Sequence, residues 1–419
     1  MCPTERPEQI PSISHASASS SEDAAARLAR WRSETPGCAD RIHLNNAGAA
    51  LMPRPVFEAI REHLDVELTM GGYEAAEGRA VCVEAAYSAL ARLIGAAPRN
   101  VAVVENATVA VAQVLSAFDL QPGDAIVTSQ ADYPSNQIMY LSLAQRRGAR
   151  ILRAEDLPEG GVDPESVRTL LRRHRCRLVS VSWVPTNSGL VQPIDAIARV
   201  CQNAGVPFLV DACQAVGQLS VDVAGIPCDF LAGTARKFLR GPRGIGFLYV
   251  SDQALSRGVH PLYVDMRGAE WITADEFRLA PDARRFENWE FAYALLLGQG
   301  AAAEYALEAG QAGLDRAQQL AAGVRGRLRE MDGVRVMDRG ERLCAIVTAT
   351  VAGWEADPLM RRLRTMGINT GASLREDGVI DMDAKGASSV LRISPHYYNS
   401  EGEIDAMLAA LAELRQPRP

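Results

Sequence analysis

Short apolar runs alternate with amphipathic stretches between about residues 75 and 250. The runs lie at 101–104, 125–128, 177–184, 207–212 and 244–250, and the predicted helices between them include Val83–Ile94 and Asp195–Gln202. Strands that are apolar on both faces and separated by helices indicate a parallel or mixed sheet between two helix layers. Ligands of such sheets bind at the carboxyl ends of the strands, so polar residues that directly follow a strand are candidate site residues.

The rest of the chain divides into further segments. A long helical stretch at about 293–331 precedes apolar runs at 344–351 and 390–394 and a final amphipathic helix. This pattern predicts a smaller α+β domain at 332–415 after a large domain at 55–331, with residues 25–54 as an N-terminal segment. Residues 1–24 are rich in Ser, Pro and Ala and show no periodicity, so we expect a flexible tail there.

The composition is that of an ordinary globular protein. The 419 residues are 47% hydrophobic and 23% charged, with a formal net charge of −7, which excludes a disordered or fibrous chain. No apolar run approaches the roughly 18 residues of a membrane span, and no apolar signal region opens the chain, so we expect a cytoplasmic protein outside the membrane. The negative charge argues against a nucleic-acid partner.

Cysteine and lysine usage narrow the possible chemistry. The eight cysteines form no Cys-x-x-Cys pair, so we predict reduced thiols and no metal site. Of the 44 basic residues, only Lys237 and Lys385 are lysines. Chemistry that needs a side-chain primary amine therefore has two candidates.

Two segments carry the strongest site signals. In FLVDACQAVGQ a buried strand ends at Asp211, and Gln214 follows; the carboxylate either points into the strand-end crevice or caps a following helix. In GTARKFLRGPRG, Lys237 has Arg236 and Arg240 as neighbours. Their positive charge lowers the pKa of the amine and favours a nucleophile, and the alternative is a solvated basic turn.

A lysine, a carboxylate, a hydroxyl and basic residues at adjacent strand ends match what pyridoxal phosphate (PLP) requires: an amine for its aldehyde, a carboxylate for its ring nitrogen and donors for its phosphate. The block from Asp211 to Lys237 resembles the class V aminotransferase family, and the resemblance extends from about His43 to Leu414. It implies an α/β protein of PLP-dependent transferase fold type I, with a mixed, mostly parallel sheet between helices. It also implies a homodimer with active sites at the subunit interface.

The resemblance assigns roles to matching positions. Lys237 resembles the lysine that binds the cofactor, Asp211 the partner of the ring nitrogen, and Gln214 a neighbour of the phenolic oxygen. Further cofactor contacts that it implies are Ala107 and Thr108 at a helix start, Tyr133, Asn187, Thr234 and Arg236. A helix start binds a phosphate through its free amides. Asn187 also fits an Asn-Ser-Gly turn.

Other matched positions face the substrate. Arg392 matches the arginine that binds an α-carboxylate through its planar fork, with a surface arginine as the alternative. Asn46 and Ala47 resemble the substrate-side loop of the N-terminal segment, which thus contributes to the active site. Tyr133, a predicted catalytic residue with Lys237 and Asp211, replaces the stacking His of cysteine desulfurases; a tyrosine stacks but is a poorer acid or base near neutral pH.

Two departures from cysteine desulfurases bear on the reaction. Those enzymes carry a Cys that accepts sulfur as a persulfide on a loop before the strand of Arg392, whereas no Cys follows Cys344 here. Their Gly-Thr-Pro stretch is replaced by Asn288, Trp289 and Glu290. We expect these residues to shape a different substrate pocket or to pack at an interface.

The sequence therefore predicts a PLP-dependent C–S (β) lyase that acts on a cysteine-derived amino acid without a persulfide relay. An aminotransferase or a Cα epimerase of the same family is the alternative, because the same residues serve all three reactions. A non-catalytic binding protein of this fold is the remote alternative, and intact Lys237, Asp211 and Arg392 argue against it.

Overall fold

The computed structural model describes residues 20–415. The strands within them are β1 (Ile42–His43), β2 (Val101–Val104), β3 (Ala125–Thr128), β4 (Arg150–Arg153), β5 (Cys176–Ser182), β6 (Phe208–Asp211), β7 (Phe230–Thr234), β8 (Gly246–Val250), β9 (Ala269–Thr273), β10 (Glu276–Leu279), β11 (Val334–Val336), β12 (Val347–Val351), β13 (Ile368–Asn369), β14 (Gly371–Leu374) and β15 (Ser389–Ile393). The α-helices are α1 (Ser20–Ser33), α2 (Arg54–Met70), α3 (Gly72–Gly78), α4 (Ala80–Leu93), α5 (Ala107–Ser116), α6 (Pro134–Arg147), α7 (Pro164–Arg173), α8 (Ile194–Ala204), α9 (Asp252–Ser256), α10 (Tyr293–Arg329), α11 (Ala356–Thr365), α12 (Val379–Lys385) and α13 (Glu401–Arg415).

Seven strands form the central sheet in the order β2-β8-β7-β6-β5-β3-β4. The five strands from β7 to β4 pair in parallel, and β8 runs antiparallel to both of its neighbours. Every residue of β6, β7 and β8 is buried, and an apolar cluster covers each face of the sheet. The predicted α/β fold with a mixed, mostly parallel sheet between helices is confirmed.

A second, antiparallel sheet has the order β11-β12-β15-β14. Its strands all follow α10 and lie inside the segment 332–415 that the sequence assigns to a smaller domain. The N-terminal segment joins this part of the chain, because β1 pairs in parallel with β13.

Arg240 ties the N-terminal segment and the C-terminal part to the turn that carries Lys237. Its backbone has a φ of +62°, a sparsely populated conformation for a residue with a side chain. Its buried guanidinium donates to Thr35 Oγ1 at 2.5 Å, to the Leu51 carbonyl at 3.0 Å and to the Tyr397 hydroxyl at 3.1 Å. These contacts hold the turn in its strained conformation.

Several elements differ from the sequence-based expectation. The pattern does not predict β7, because FLAGT is short and two of its five residues are small, although all five are buried. It also does not predict the β9–β10 hairpin, whose side chains are largely exposed. The long helix α10 is interrupted at Gly310, where φ is +53°. The predicted tail, residues 1–24, lies largely outside the described residues, and α1 begins at Ser20.

The cysteines depart from expectation at one position. Cys38, Cys176, Cys201, Cys213, Cys228 and Cys344 are free thiols, whereas Cys82 is disulfide-bonded. The prediction of reduced thiols is therefore wrong at Cys82, because a disulfide leaves no local spacing pattern unless its cysteines are neighbours. Residues 20–415 contain no cluster of His, Cys, Asp or Glu suited to a metal ion. No helix in the same range is long and apolar enough to cross a membrane.

Candidate active site

A cavity of about 390 Å³ lies at the carboxyl ends of β5, β6 and β7. The parallel register places Ser182 beside Asp211 and Asp211 beside Ala232, so polar residues at these strand ends meet at one edge of the sheet. The cavity is lined by Asn106, Ala107, Thr108, Tyr133, Asn136, Ser182, Val184, Thr186, Asp211, Cys213, Gln214, Thr234, Arg236 and Lys237.

Lys237 is buried in the cavity wall just after β7, with 5% of its surface exposed. Burial, reinforced by the charges of Arg236 and Arg392, lowers the pKa of its amine to about 8. The pKa of Lys237 is therefore lowered mainly by burial. The guanidinium of Arg240, which the sequence suggested as a neighbour of this amine, contacts the N-terminal segment instead. A buried amine with this pKa is neutral in part near neutral pH and is a competent nucleophile.

Asp211 ends β6 with its carboxylate in the cavity wall. Its Oδ2 accepts a hydrogen bond from Asn136 Nδ2 at 3.0 Å, and its Oδ1 accepts one from the Cys213 amide at 3.0 Å. No helix follows within the next forty residues of the described chain, the next one being α9. The helix-cap alternative therefore does not apply, and the carboxylate is available to a cation in the cavity.

The end of the cavity beside α5 has the character of an anion site. Asn106 caps this helix by accepting from the Val109 amide at 3.1 Å, and Ala107 and Thr108 form its first turn. The first amides of a helix have no hydrogen-bond partner within the helix. These amides and the positive end of the helix dipole favour the binding of an anion there. Thr234 and Arg236 line the same cavity.

Tyr133 and Gln214 both line the cavity. The Lys237 amine lies 5.7 Å from the centroid of the Tyr133 ring, so the ring covers the space in front of the amine. Gln214 donates to the Ala47 carbonyl at 3.0 Å, while its buried Oε1 has no partner among the described residues. A buried amide oxygen without a partner is costly and points to a ligand.

Arg392 approaches the cavity from β15 in the second sheet. Its Nη1 donates to both the carbonyl and the hydroxyl of Thr186, at 2.9 Å each, and Thr186 lines the cavity. Its buried Nε has no partner among the described residues. Gly371 leaves room for the guanidinium, since a Cβ there would lie 3.2 Å from Nε and Nη2.

Besides Arg392, three predicted site residues lie outside the cavity lining. Asn46 is fully buried, where it donates to the Ser394 carbonyl at 2.7 Å and accepts from Tyr398. Ala47 contacts the site only through its carbonyl, which accepts from Gln214. Asn187 donates its amide to Asp381 Oδ2 at 2.7 Å, which couples this position to α12.

Asn288, Trp289 and Glu290 are exposed and do not line the cavity. Asn288 donates to Glu105 Oε1 at 3.3 Å, and the Trp289 amide donates to Asp265 at 2.6 Å. Their expected role in shaping a pocket is therefore not visible within one chain.

The sequence reasoning assigned no role in the site to five polar residues of the cavity: Asn106, Asn136, Ser182, Thr186 and Cys213. Thr186 follows the predicted strand at 177–184, so the strand-end rule could have found it, and Ser182 lies near the end of that strand. Asn136 lies one helical turn after Tyr133 on α6, and the spacing by itself does not show that its amide reaches Asp211.

The cavity fits PLP on its own chemistry. It combines a buried amine of lowered pKa, an accessible carboxylate, a helix start with basic and hydroxyl side chains, and buried polar atoms without partners. These are the groups that the cofactor's aldehyde, ring nitrogen, phosphate and phenolic oxygen require. The fold and the site define a PLP-dependent enzyme of fold type I.

Comparison with known proteins identifies the family. The chain belongs to the class V aminotransferases, because the family model Aminotransferase class-V matches residues 42–407. A probable cysteine desulfurase of Xylella fastidiosa is 27% identical over 389 residues, covering 90% of this chain and 91% of the relative. A probable hercynylcysteine sulfoxide lyase of Mycobacterium tuberculosis is 28% identical over 389 residues, covering 91% of this chain and 92% of the relative.

The solved structures agree on the fold. The apo structure of a cysteine desulfurase from Thermococcus onnurineus matches with a TM-score of 0.84 at 23% identity, covering 96% of this chain and 99% of that chain. Another solved structure, a C-DES mutant that matches with a TM-score of 0.81 at 23% identity, has glycine covalently linked to its PLP cofactor. Relatives with different names share the fold and the family, so the reaction has to be argued from the site.

Proposed function

We propose that the protein is a PLP-dependent C–S (β) lyase that releases the sulfur substituent of a cysteine-derived amino acid without a persulfide relay. The observation that carries the proposal concerns sulfur. No cysteine occurs between residues 345 and 419, and the one thiol in the cavity wall, Cys213, has a pKa raised well above its ordinary value by burial and by Asp211. A protonated thiol is a poor sulfur acceptor.

The side chains of the cavity suit this chemistry. PLP, when bound, supplies an electron sink that stabilises negative charge at the substrate Cα. Asp211 holds positive charge at the ring nitrogen, and the Arg392 guanidinium binds the substrate carboxylate. The Lys237 amine, with its pKa near 8, takes the proton from Cα, and its burial excludes water from that transfer.

Product analysis tests the proposal. A cysteine thioether incubated with the loaded enzyme should yield pyruvate, ammonia and the free thiol in equal amounts. The matched variant is Cys213→Ser, which should keep this stoichiometry if no protein sulfur takes part. A protein-bound persulfide during turnover, or loss of activity in a folded Cys213→Ser variant, would favour a desulfurase instead.

The same assay separates the alternatives that share this site. A keto acid that retains the whole side chain identifies an aminotransferase, and recovery of the amino acid with inverted Cα identifies an epimerase. Absence of cofactor binding together with absence of turnover identifies a binding protein. Each of these results contradicts the lyase.

We also propose that two copies of the chain associate around the β9–β10 hairpin. This region exposes large apolar side chains, with exposed fractions of 86% for Tyr263, 80% for Trp271 and 58% for Phe277. Large apolar side chains that are exposed in one segment of the chain are candidates for an interaction site. Light scattering should show a dimer, and Trp271→Glu with Phe277→Glu should convert it to a monomer; a monomeric wild-type protein contradicts the proposal.

A further inference from the structure

A second buried carboxyl group lies behind Asp211. Asp132 follows β3, has 3% of its surface exposed and is separated from the cavity lining. The hydroxyl of Ser182 connects the two carboxyls, since it contacts Asp132 Oδ1 directly and lies 3.5 Å from Asp211 Oδ2. The register that pairs β5 with β6 places Ser182 beside Asp211.

The surroundings of Asp132 contain donors and no cation. Its oxygens accept from Thr128 Oγ1 at 2.8 Å, from the Tyr133 amide at 2.7 Å and from Gln137 Nε2 at 3.2 Å. Among the main influences on Asp132, the charged group is Asp211, which is negative.

Other ionisable groups lie on the elements that pack around Asp132. Tyr140 of α6 donates its hydroxyl to Ser180 Oγ at 2.7 Å, and burial keeps it neutral by raising its pKa. Arg153 of β4 reaches only as far as Gln137 Oε1, at 2.9 Å. Lys237 acts on Asp211, on the cavity side of the pair.

Two adjacent buried carboxyls do not readily ionise together, because a charge on one disfavours a charge on the other, and the Lys237 amine lies on the Asp211 side of this pair. The hydroxyl of Ser182 fits either state of Asp132, since it can donate to a carboxylate or accept from a protonated carboxyl. Ser182 has one hydroxyl proton and already accepts from the Tyr133 amide at 3.3 Å, so it can donate to only one carboxylate. If Asp132 is protonated, it donates to Ser182, which in turn donates to Asp211.

We propose that Asp132 and Asp211 form a carboxyl pair bridged by Ser182 in which Asp132 holds the proton and Asp211 stays ionised for the ring nitrogen of the cofactor. Asp211 is the ionised member because it faces the cavity and the Lys237 amine, whereas Asp132 lies outside the cavity lining and its hydrogen bonds within residues 20–415 come from uncharged groups. Burial and the charge of Asp211 also raise the pKa of Asp132. The inference rests on the proposed role of Asp211, and it makes Asp132 a positioning residue.

Infrared difference spectroscopy tests the proton directly, with or without cofactor. A protonated carboxyl has a carbonyl stretch that a carboxylate lacks, and this band shifts in heavy water. At neutral pH the band should be present in the wild type, absent in Asp132→Asn and retained in Thr128→Val, the matched control that removes one donor to the same carboxyl. Absence of the band in the wild type, which needs no variant to fold, overturns the proposal, as does its persistence in Asp132→Asn.

Cofactor affinity provides a second readout. Asp132→Asn keeps a neutral donor toward Ser182, so its dissociation constant for PLP should stay within about threefold of the wild type, whereas loss of an ionised carboxylate would weaken binding by about tenfold or more. A tenfold loss in Asp132→Asn therefore overturns the proposal. Asp211→Asn should itself bind PLP about tenfold more weakly. If this variant binds PLP normally, the proposed role of Asp211 is wrong, and the infrared band still tests whether Asp132 is protonated.

Discussion

Replacing Lys237 by methionine in the cofactor-free protein should change how stability depends on pH. The site lowers the pKa of this amine from 10.5 to about 8, first by burial and then through Arg236 and Arg392. Between these two pKa values the unfolded chain binds more protons at this residue than the folded chain does. The contribution of Lys237 to the free energy of unfolding therefore rises with pH across this window, and below it a constant penalty remains.

The magnitude follows from the size of the shift. At 1.36 kcal/mol per pKa unit, the full penalty below pH 8 is about 3 kcal/mol. Between about pH 7.5 and pH 9.5 the wild type should recover about 2 kcal/mol relative to Lys237→Met, in which no amine titrates. Other groups that titrate in this range are common to both proteins and cancel in the difference.

Urea unfolding of both apo proteins across this range measures the effect. The matched control is Lys385→Met, which removes the other lysine of the chain and, because it keeps Lys237, should retain the gain in stability between about pH 7.5 and pH 9.5. A difference between wild type and Lys237→Met that does not vary with pH would refute the reasoning, because the amine would then be fully protonated in the folded protein.

Three further predictions concern the cavity. Gly371→Ala places a methyl group against the Arg392 guanidinium and should raise KM by about tenfold with an unchanged circular dichroism spectrum; an unchanged KM would remove Arg392 from substrate binding. Asp211→Asn should keep the fold and lose most turnover, whereas normal turnover with cofactor bound would refute the ring-nitrogen role. Tyr133→Phe should retain the visible spectrum of the bound cofactor, and Tyr133→Ala should alter it through loss of the ring, so equal spectra would exclude stacking.

Sequence periodicity was informative where burial is continuous. The strands around Asp211 are apolar on both faces, so their ends and the residues that follow them could be located from the pattern. The family resemblance, and not the strand pattern, predicts that Lys237 lies near Asp211. In the structure both line the cavity, because β6 and the unpredicted β7 are parallel neighbours. Motif resemblance added Arg392, which lies in a different sheet and which strand patterns alone do not connect to the cavity.

The remaining parts depend on contacts between distant segments. Asn46 matches a substrate-side position, but its side chain is hydrogen-bonded to Ser394 and Tyr398 of the C-terminal segment. Asn187 is hydrogen-bonded to Asp381, which lies on a helix almost two hundred residues later in the chain. The bridge from Asp132 to Asp211 depends on one hydroxyl, that of Ser182, whose direction no local pattern specifies.

The lysine that binds the cofactor tests the central claim most directly. Borohydride reduction of the loaded enzyme followed by peptide mapping locates the reduced cofactor on one residue, and the chain has only two lysines. Lys237 lies in the cavity with its amine facing Tyr133, whereas Lys385 is paired with Asp381 at 2.6 Å on α12. The account predicts the label on Lys237; a label on Lys385 would contradict it.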